Sequence, residues 1–372
     1  MVVKSVSVLG AGNAGFAISF HLKQMGFNVA LYEHPDFKQS IEPVQKADNQ
    51  LIAVQADGDF KAIISGTVKL DLVTSEIDAA VKFGEVIIII VPAFGQVPIF
   101  RLALPHLRDG QIIVSMPGNF ASLQYASVLE EAKSKLKLDL VDTDSIPYAC
   151  RRLPGNNVFI SGMKIELNAG VLPAAHTDAV LDALKPAFKL NLRKNANVME
   201  AGFCNMNMIL HPPPVLLNTG WMEVKKGDFS FYTEGCSPSV CKLMEAVDAE
   251  RMKVGDMLGF STRKLLDIHK SWYGESGYDN TYDHIHNAAY YTYFRAPPAL
   301  ENRYLNEDVC FVLIPITNLA KRYGIETPVT DSMVRIAEVL MGKKLEAKRG
   351  FDFVVRKGEN ASQMHQRLTN PF

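Results

Sequence analysis

The residues best suited to chemistry fall at three places in the 372-residue chain. The first is Val6-Ser7-Val8-Leu9-Gly10-Ala11-Gly12-Asn13-Ala14-Gly15, a G-x-G-x-x-G directly after a β-rich run and directly before a helical one. Gly10 permits a tight turn, Gly12 lets the backbone approach a pyrophosphate, and Gly15 lets helix and strand pack closely. Asn13 and Ala14 open the helix, whose unpaired N–H groups and dipole favour phosphate. The second is Glu33, which ends the next β-rich run 21 positions after Gly12. A carboxylate there can accept both ribose hydroxyls of NAD and repels a 2′-phosphate. No Arg or Lys follows before Lys38, which favours NAD, although a charged His34 leaves NADP open. The third is His211, ahead of Pro212, Pro213 and Pro214. Such a context drives a residue out of helical geometry and breaks the helix, so the imidazole can project into a cleft. Its ordinary pKa near ~6.5 suits proton exchange with a carbonyl oxygen or an amine during hydride transfer. Taken alone, a histidine among apolar residues is as readily a structural one.

Those groups need elements to hold them. Ser5–Leu9, Asn28–Tyr32, Val86–Val91 and Gln111–Ser115 read as strands, and Phe16–Met25 as a helix stopped by Gly26. The unbroken Val and Ile of the third run suit a strand buried on both faces. Strand and helix alternating in this way predict an α/β domain with a doubly wound parallel sheet of the Rossmann kind. Val91-Pro92 and Pro117-Gly118 then end strands where nicotinamide-side loops belong. Beyond about residue 190 the periodicity turns helical, over Glu245–Met257, Asn318–Tyr323 and Asp331–Met341. The division expected is a cofactor domain over 1–188 and a mainly α-helical substrate domain over 189–372, with a mixed-charge tail fraying from Lys348.

Composition removes other function classes. Thirty-nine basic against 40 acidic residues leave a net charge of -1, so nucleic acid and anionic membranes lack electrostatic support. With 48% hydrophobic and 21% charged residues, the chain has a folded composition. Five cysteines without a CxxC pair or a histidine cluster argue against a metal site or a disulfide framework, and fit a reducing cytosol. The N-terminal apolar run is cut by Gly10, Gly12, Asn13 and Gly15, unlike a signal peptide. The longest apolar run, Val86 to Phe94, is far short of the ~20 residues that cross a bilayer. A soluble cytoplasmic protein is expected. A shared helical domain would allow a homodimer, but no segment announces an interface.

Four strings in the second half are more specific: Asn205-Met206-Asn207-Met208-Ile209-Leu210-His211-Pro212, Tyr232-Thr233-Glu234-Gly235-Cys236-Ser237-Pro238-Ser239-Val240, Val247-Asp248-Ala249-Glu250-Arg251, and Asn302-Arg303-Tyr304-Leu305-Asn306-Glu307-Asp308-Val309. With Ile146-Pro147-Tyr148-Ala149-Cys150-Arg151 they resemble, in order and over nearly the whole chain, the opine dehydrogenase family (octopine, nopaline and N-(1-carboxyethyl) amino acid dehydrogenases). In that family NAD(P)H reduces the imine formed between a 2-oxo acid, usually pyruvate, and the amine of an amino acid. The resemblance implies that His211 is the acid/base group and Asp308 its partner, with Glu307 a rival for that role. It implies that Arg303 holds the oxo-acid carboxylate through paired hydrogen bonds. Asn205 and Asn207, polar within an apolar run, would serve cofactor or substrate. Met206 and Trp272 match positions shaping the amino-acid pocket of the octopine branch, yet equally suit an ordinary core. Tyr148 and Arg151 read first as domain-junction residues.

Two other readings share the plan. A 3-hydroxy acid, glycerol-phosphate or ketopantoate-type dehydrogenase would typically carry a second-domain lysine in its site. A non-catalytic NAD-binding sensor would carry a degraded acid/base set. The residue pattern leaves open which amino acid is condensed, since no acidic pair marks a guanidino pocket.

Overall fold

Short Val/Ile runs that bury both faces can only be satisfied inside a sheet covered by helices. In the computed structural model, which describes residues 3–356 and 358–371, eight strands form that sheet. They are β1 (Ser5–Leu9), β2 (Asn28–Tyr32), β3 (Leu72–Thr74), β4 (Val86–Ile89), β5 (Ile112–Ser115), β6 (Asp139–Thr143), β7 (Glu166–Leu172) and β8 (Asn191–Lys194). Their order is β8-β7-β6-β5-β4-β1-β2-β3. All neighbours are parallel except β6 and β7, so β1, β4, β5 and β6 deliver their carboxyl ends to one edge. Val6 pairs with Val29 on one side and Val86 on the other, and all three are buried. Helix α1 (Asn13–Gln24) follows β1 and stops where Gly26 takes a φ of +92°.

A second sheet, in the order Tyr148–Arg152, Asn157–Met163, Gln50–Ala53, Gly66–Lys69, packs against α1. Sequence periodicity does not announce it, because its strands are short and partly polar. It accounts for Tyr148, which is not a junction residue. Tyr148 is buried, and its hydroxyl lies 2.8 Å from His21 Nδ1 of α1. Arg151 is ion-paired with Asp57 in the same unit.

The chain divides into two compact units, one reaching Ala201 and including the segment from His365, the other Gly202–Met364. The boundary lies beyond residue 188 because Asn191–Lys194 is a sheet strand: Glu166 to Ala169 pair with it in register. Only Leu192 of that strand is buried, which is why it lacks an apolar signature. The tail does not fray as expected. Ala361–Thr369 is helical, with Met364 and Leu368 buried one turn apart.

The second unit is mainly helical. Its 20-residue helix, Pro238–Met257, starts at Ser237, whose side chain accepts from the Val240 N–H, with Pro238 at the first helical position. Within it Arg251 donates to Asp248 (2.9 Å) and to the Phe203 carbonyl (2.8 Å), and Asp248 also accepts from the Leu265 N–H (2.8 Å). Glu250 accepts from the N–H groups of Val329 and Thr330 at the start of Pro328–Met341. The acidic and basic members of the Val247–Arg251 string therefore join helices together. Among the described residues no helix is long and apolar enough to cross a membrane.

Candidate active site

The three glycines of the first loop serve different ends. Gly10 has a φ of +118°, and a Cβ there would lie 2.6 Å from Val91 Cγ1 and 2.7 Å from the Ile90 carbonyl oxygen. A Cβ on Gly15 would fall 1.8 Å from the Gly10 carbonyl oxygen. Both glycines are thus required to fold the loop. Gly12 has a φ of −79°, which any residue adopts, and a Cβ on it would meet nothing within 4 Å. Open space at the N-terminus of a 12-residue helix, with no side chain capping it, fits a phosphate group closely approached by backbone. Glu33 stands beside this loop: its carboxylate accepts from the N–H groups of Ala11 and His34, each at 2.9 Å.

Asn13 points elsewhere. Its Oδ1 accepts from the Arg152 N–H at 3.0 Å, tying α1 to the second sheet. The Arg152 guanidinium lies 4.6 Å from the centre of the Phe16 ring, and burial pushes its pKa down while Glu33 offsets this. Arg152 sets a cation beside the glycine loop that the residues just after Glu33 do not announce, because it arrives from a distant strand.

At the same sheet edge Val91 packs on Gly10, and Pro92 precedes the helix Ala93–Ala103. The Pro117 carbonyl accepts from Gln96 Nε2 at 2.7 Å. Gly118 owes its small size to packing, since a Cβ there would sit 2.3 Å from Asp142 Cβ. Past β6 the Lys164 ammonium is buried against Ser145 Oγ (2.6 Å) and the Ile146 carbonyl (3.0 Å), and burial lowers its pKa to about 8. Burial raises the Cys150 thiol to about 12, which keeps it protonated and unreactive near neutrality.

Were Glu33 to read the ribose, Glu33→Ala would remove both a hydroxyl acceptor and the charge opposing a 2′-phosphate. The expected result is a preference for NAD over NADP narrowed ~10-fold or more, as for loss of a hydrogen bond to a charged group. Ratios of kcat/KM for the two cofactors measure it; an unchanged ratio removes Glu33 from ribose reading.

In the second unit His211 lies between α2 (Asn207–Leu210) and α3 (Pro212–Leu217). The three prolines do not expel it from helical geometry, as their sequence context suggests. Its φ and ψ are −103° and −55°, its N–H donates to the Asn207 carbonyl, and its own carbonyl accepts from Val215. The prolines fill the first turn of α3, where their missing N–H groups have no intrahelical role. His211 and Asp308 are both buried, and Nδ1 lies 2.6 Å from Asp308 Oδ2. With the proton on Nδ1 facing the carboxylate, Nε2 is the nitrogen left for chemistry. Asp308 is 97 residues away and sits between α4 (Arg303–Asn306) and a π-helical turn at Val309–Leu313. π-helical turns recur at functional sites because they re-aim one residue of a helix.

Glu307 lies 3.6 Å from Arg303, and Asp308 is the carboxylate that meets His211 Nδ1. The Arg303 side chain is 65% exposed at the start of α4, which Asn302 caps by accepting from the Tyr304 N–H. Tyr304, not singled out from the sequence, stacks on His211 with ring centres 3.9 Å apart and planes 19° from parallel. Burial raises its pKa, with Arg303 opposing and Asp308 adding. Asn207 is half-buried one turn before His211, while Asn205 accepts from the Asn207 N–H at 2.9 Å and so shapes the turn. Met206 is fully buried. Trp272 is buried against His269, 4.2 Å between ring centres, in an aromatic cluster joined to Phe231 through Tyr291 and Tyr232. The structure thus brings His211, Asp308, Tyr304, Glu307 and Arg303 together, and leaves Met206 and Trp272 in packed surroundings.

An α/β unit with a phosphate-type glycine loop and a helical unit carrying a buried His–Asp pair make this a two-unit oxidoreductase. Residues 194–341 match the family model described as NAD/NADP octopine/nopaline dehydrogenase, alpha-helical domain. Over 339 residues, covering 91% of each chain, the protein is 29% identical to an opine dehydrogenase of Arthrobacter sp. (strain 1C). It is 22% identical over 98% of each chain to the protein ocs of Agrobacterium tumefaciens (strain Ach5). A solved octopine dehydrogenase in complex with NADH and agmatine has the same fold, with a TM-score of 0.72 at 20% identity, covering 98% of this chain and 95% of that one. The second unit thus matches the helical domain of octopine/nopaline dehydrogenases, and nearly the whole chain is similar to opine dehydrogenases, oxidoreductases that act on CH–NH bonds.

Proposed function

We propose that the protein condenses a 2-oxo acid with the amine of an L-amino acid and reduces the resulting imine to an opine, reversibly. The carrying observation is the buried His211–Asp308 pair at 2.6 Å, with Arg303 on the adjoining turn. Gly10, Gly12 and Gly15, the N-terminus of α1 and Glu33 would hold NAD, which in its reduced form supplies the hydride when bound. The open space beside Gly12 and the carboxylate beside Ala11 fit it. Charge repulsion from Glu33 favours NAD over NADP, with NADP admitted less well.

Proton handling falls to the chain's own groups. The amine must be neutral to add to the carbonyl, and the oxygen must leave as water. His211 Nε2 can take one proton from the incoming ammonium and return it to the departing oxygen, whose other proton passes from the nitrogen of the adduct. Water leaves, the iminium carbon accepts the hydride, and the product amine takes its last proton from solvent, so the imidazole ends each cycle as it began. Asp308 holds the ring in one tautomer and stabilises its charged form, as carboxylates do in other His–Asp pairs. Arg303 presents a planar guanidinium that can clamp the oxo-acid carboxylate and orient the reacting carbon. Its side chain is exposed, which suits a ligand-holding role, and its pairing with Glu307 limits its freedom. Pyruvate is the oxo acid proposed, on the family's habit.

Arg303→Ala is therefore expected to raise KM for the oxo acid ~10–100-fold, the loss of a charge-assisted pair, with a smaller effect on kcat. Steady-state kinetics at saturating amine measure it, and an unchanged KM makes Arg303 structural. The product tests the reading as a whole. Incubation with NADH, pyruvate and pooled L-amino acids should yield a secondary-amine dicarboxylate identifiable by mass. Lactate as sole product would overturn it.

A further inference from the structure

We propose that Tyr304 is a positioning residue for the reaction: its ring face, stacked on His211, stabilises the imidazolium and so sets the pH range over which His211 exchanges protons. The inference rests on the reading of His211 as the acid/base group. It begins with geometry. Ring centres 3.9 Å apart, at 19° to one another, place the imidazole over the tyrosine π face rather than at its edge. Phe231 closes a further side, 6.3 Å from His211 and 5.0 Å from Tyr304, so the stack is laterally confined.

The backbone makes the stack rigid. Tyr304 is the second residue of α4, its N–H taken by Asn302 Oδ1 at 2.8 Å. Asp308 lies four positions on, so a single turn of chain delivers both the ring that covers the imidazole and the carboxylate that meets its Nδ1. One element therefore fixes the histidine in plane and out of plane.

A charge taken up by the ring would face the Asp308 carboxylate in its plane, through Nδ1. Out of plane it would face the Tyr304 ring, whose negative π face attracts a cation. Other ionisable groups stand on the elements packed around His211, Glu223 and Lys225 of Thr219–Lys225 among them. Arg303 and Glu307 pair with each other, and the Tyr232 hydroxyl is held protonated, its pKa raised well above the usual value by burial. Helix Pro238–Met257, packed on α2 and α3, contributes Asp248 and Arg251, which bond to one another. Pro328–Met341, packed on α3, contributes Arg335 and Glu338, likewise paired. The groups that meet the imidazole itself are the Asp308 carboxylate and the Tyr304 ring, with Phe231 at its side.

The test replaces Tyr304 with Leu, with Phe, and with phenylalanines carrying one, two and three ring fluorines, all in the full chain. Each variant's His211 titration is followed by NMR of labelled histidine, alongside the pH–rate profile. Leu should lower the His211 pKa by ~0.4–1.5 units, and Phe should leave it near wild type. The fluorinated rings keep the shape while draining the π face, so they should lower it stepwise even if the Leu variant does not fold. The sign is fixed: losing a stabiliser of the charged form moves the pKa down, and the matching limb of the rate profile moves to lower pH. Tyr304 as mere packing would lower kcat without moving the titration, and a flat fluorine series overturns the proposal. Should the NMR titration move while the rate limb stays, the stack stands and His211 is not the acid/base group.

Discussion

His211→Asn should lower turnover ~10²–10⁴-fold while leaving NADH affinity within a small factor of wild type. Asparagine keeps a polar side chain of roughly the imidazole's reach but cannot exchange a proton near neutrality. Both proton movements required of Nε2, out of the ammonium and onto the leaving oxygen, are then lost. Cofactor affinity should persist, because the glycine loop, α1 and Glu33 are built entirely within the first unit. Asp308, buried and deprived of its partner, would cost stability of ~1–3 kcal/mol, so the comparison is made well below the unfolding temperature. Single-turnover kinetics and calorimetric NADH binding measure the two quantities. Turnover like that of the wild type would remove His211 from the mechanism.

Gly12→Ala and Gly15→Ala should fail in opposite ways. At Gly12 the backbone tolerates alanine and the new methyl meets nothing within 4 Å, so folding should be nearly unaffected. A bound pyrophosphate would need that space, and dinucleotide affinity should fall ~10-fold or more, about 1.4 kcal/mol per decade. At Gly15 the methyl would lie 1.8 Å from a backbone oxygen that cannot rotate away. Shifting α1 off β1 should cost about 3 kcal/mol or more, read as a lowered melting temperature with or without cofactor. Thermal denaturation and ADP-ribose titration separate the cases. A Gly12→Ala protein that binds ADP-ribose as the wild type does would mean that phosphate does not sit over that glycine.

Where the sequence was legible, one physical signal spoke alone. Ser5–Leu9 and Asn28–Tyr32 are strands with the bounds their β-rich runs suggest, because each is flanked by a glycine turn and buried by helices. The Val86 run ends as a strand at Ile89, sooner than its apolar character suggests, because Val91 must leave the sheet to pack on Gly10. Strand Asn191–Lys194 and the edge strand Gly66–Lys69 of the second sheet escaped notice because most of their residues face solvent, leaving no period to read. The tail helix was obscured by its polar residues, although Met364 and Leu368 already stood four apart.

Much the same holds for the candidate site. Glycine spacing speaks directly, because each glycine answers a steric demand. The meeting of His211 with Asp308 does not, since 97 intervening residues carry no distance information; only the family likeness suggested it. Tyr304 stood in plain view beside Arg303, but nothing in a helical period says that a ring will lie flat on a histidine from another element. Arg152 was hidden for the same reason, as a strand residue brought to the glycine loop by the packing of the second sheet on α1.

The central claim is that an imine, rather than a ketone, is reduced. Initial rates of NADH oxidation with pyruvate, measured with and without a panel of L-amino acids, test it most directly. The account expects negligible oxidation with pyruvate alone and a large, saturable rate with at least one amino acid. Pyruvate reduced as fast alone as with any amine would contradict it.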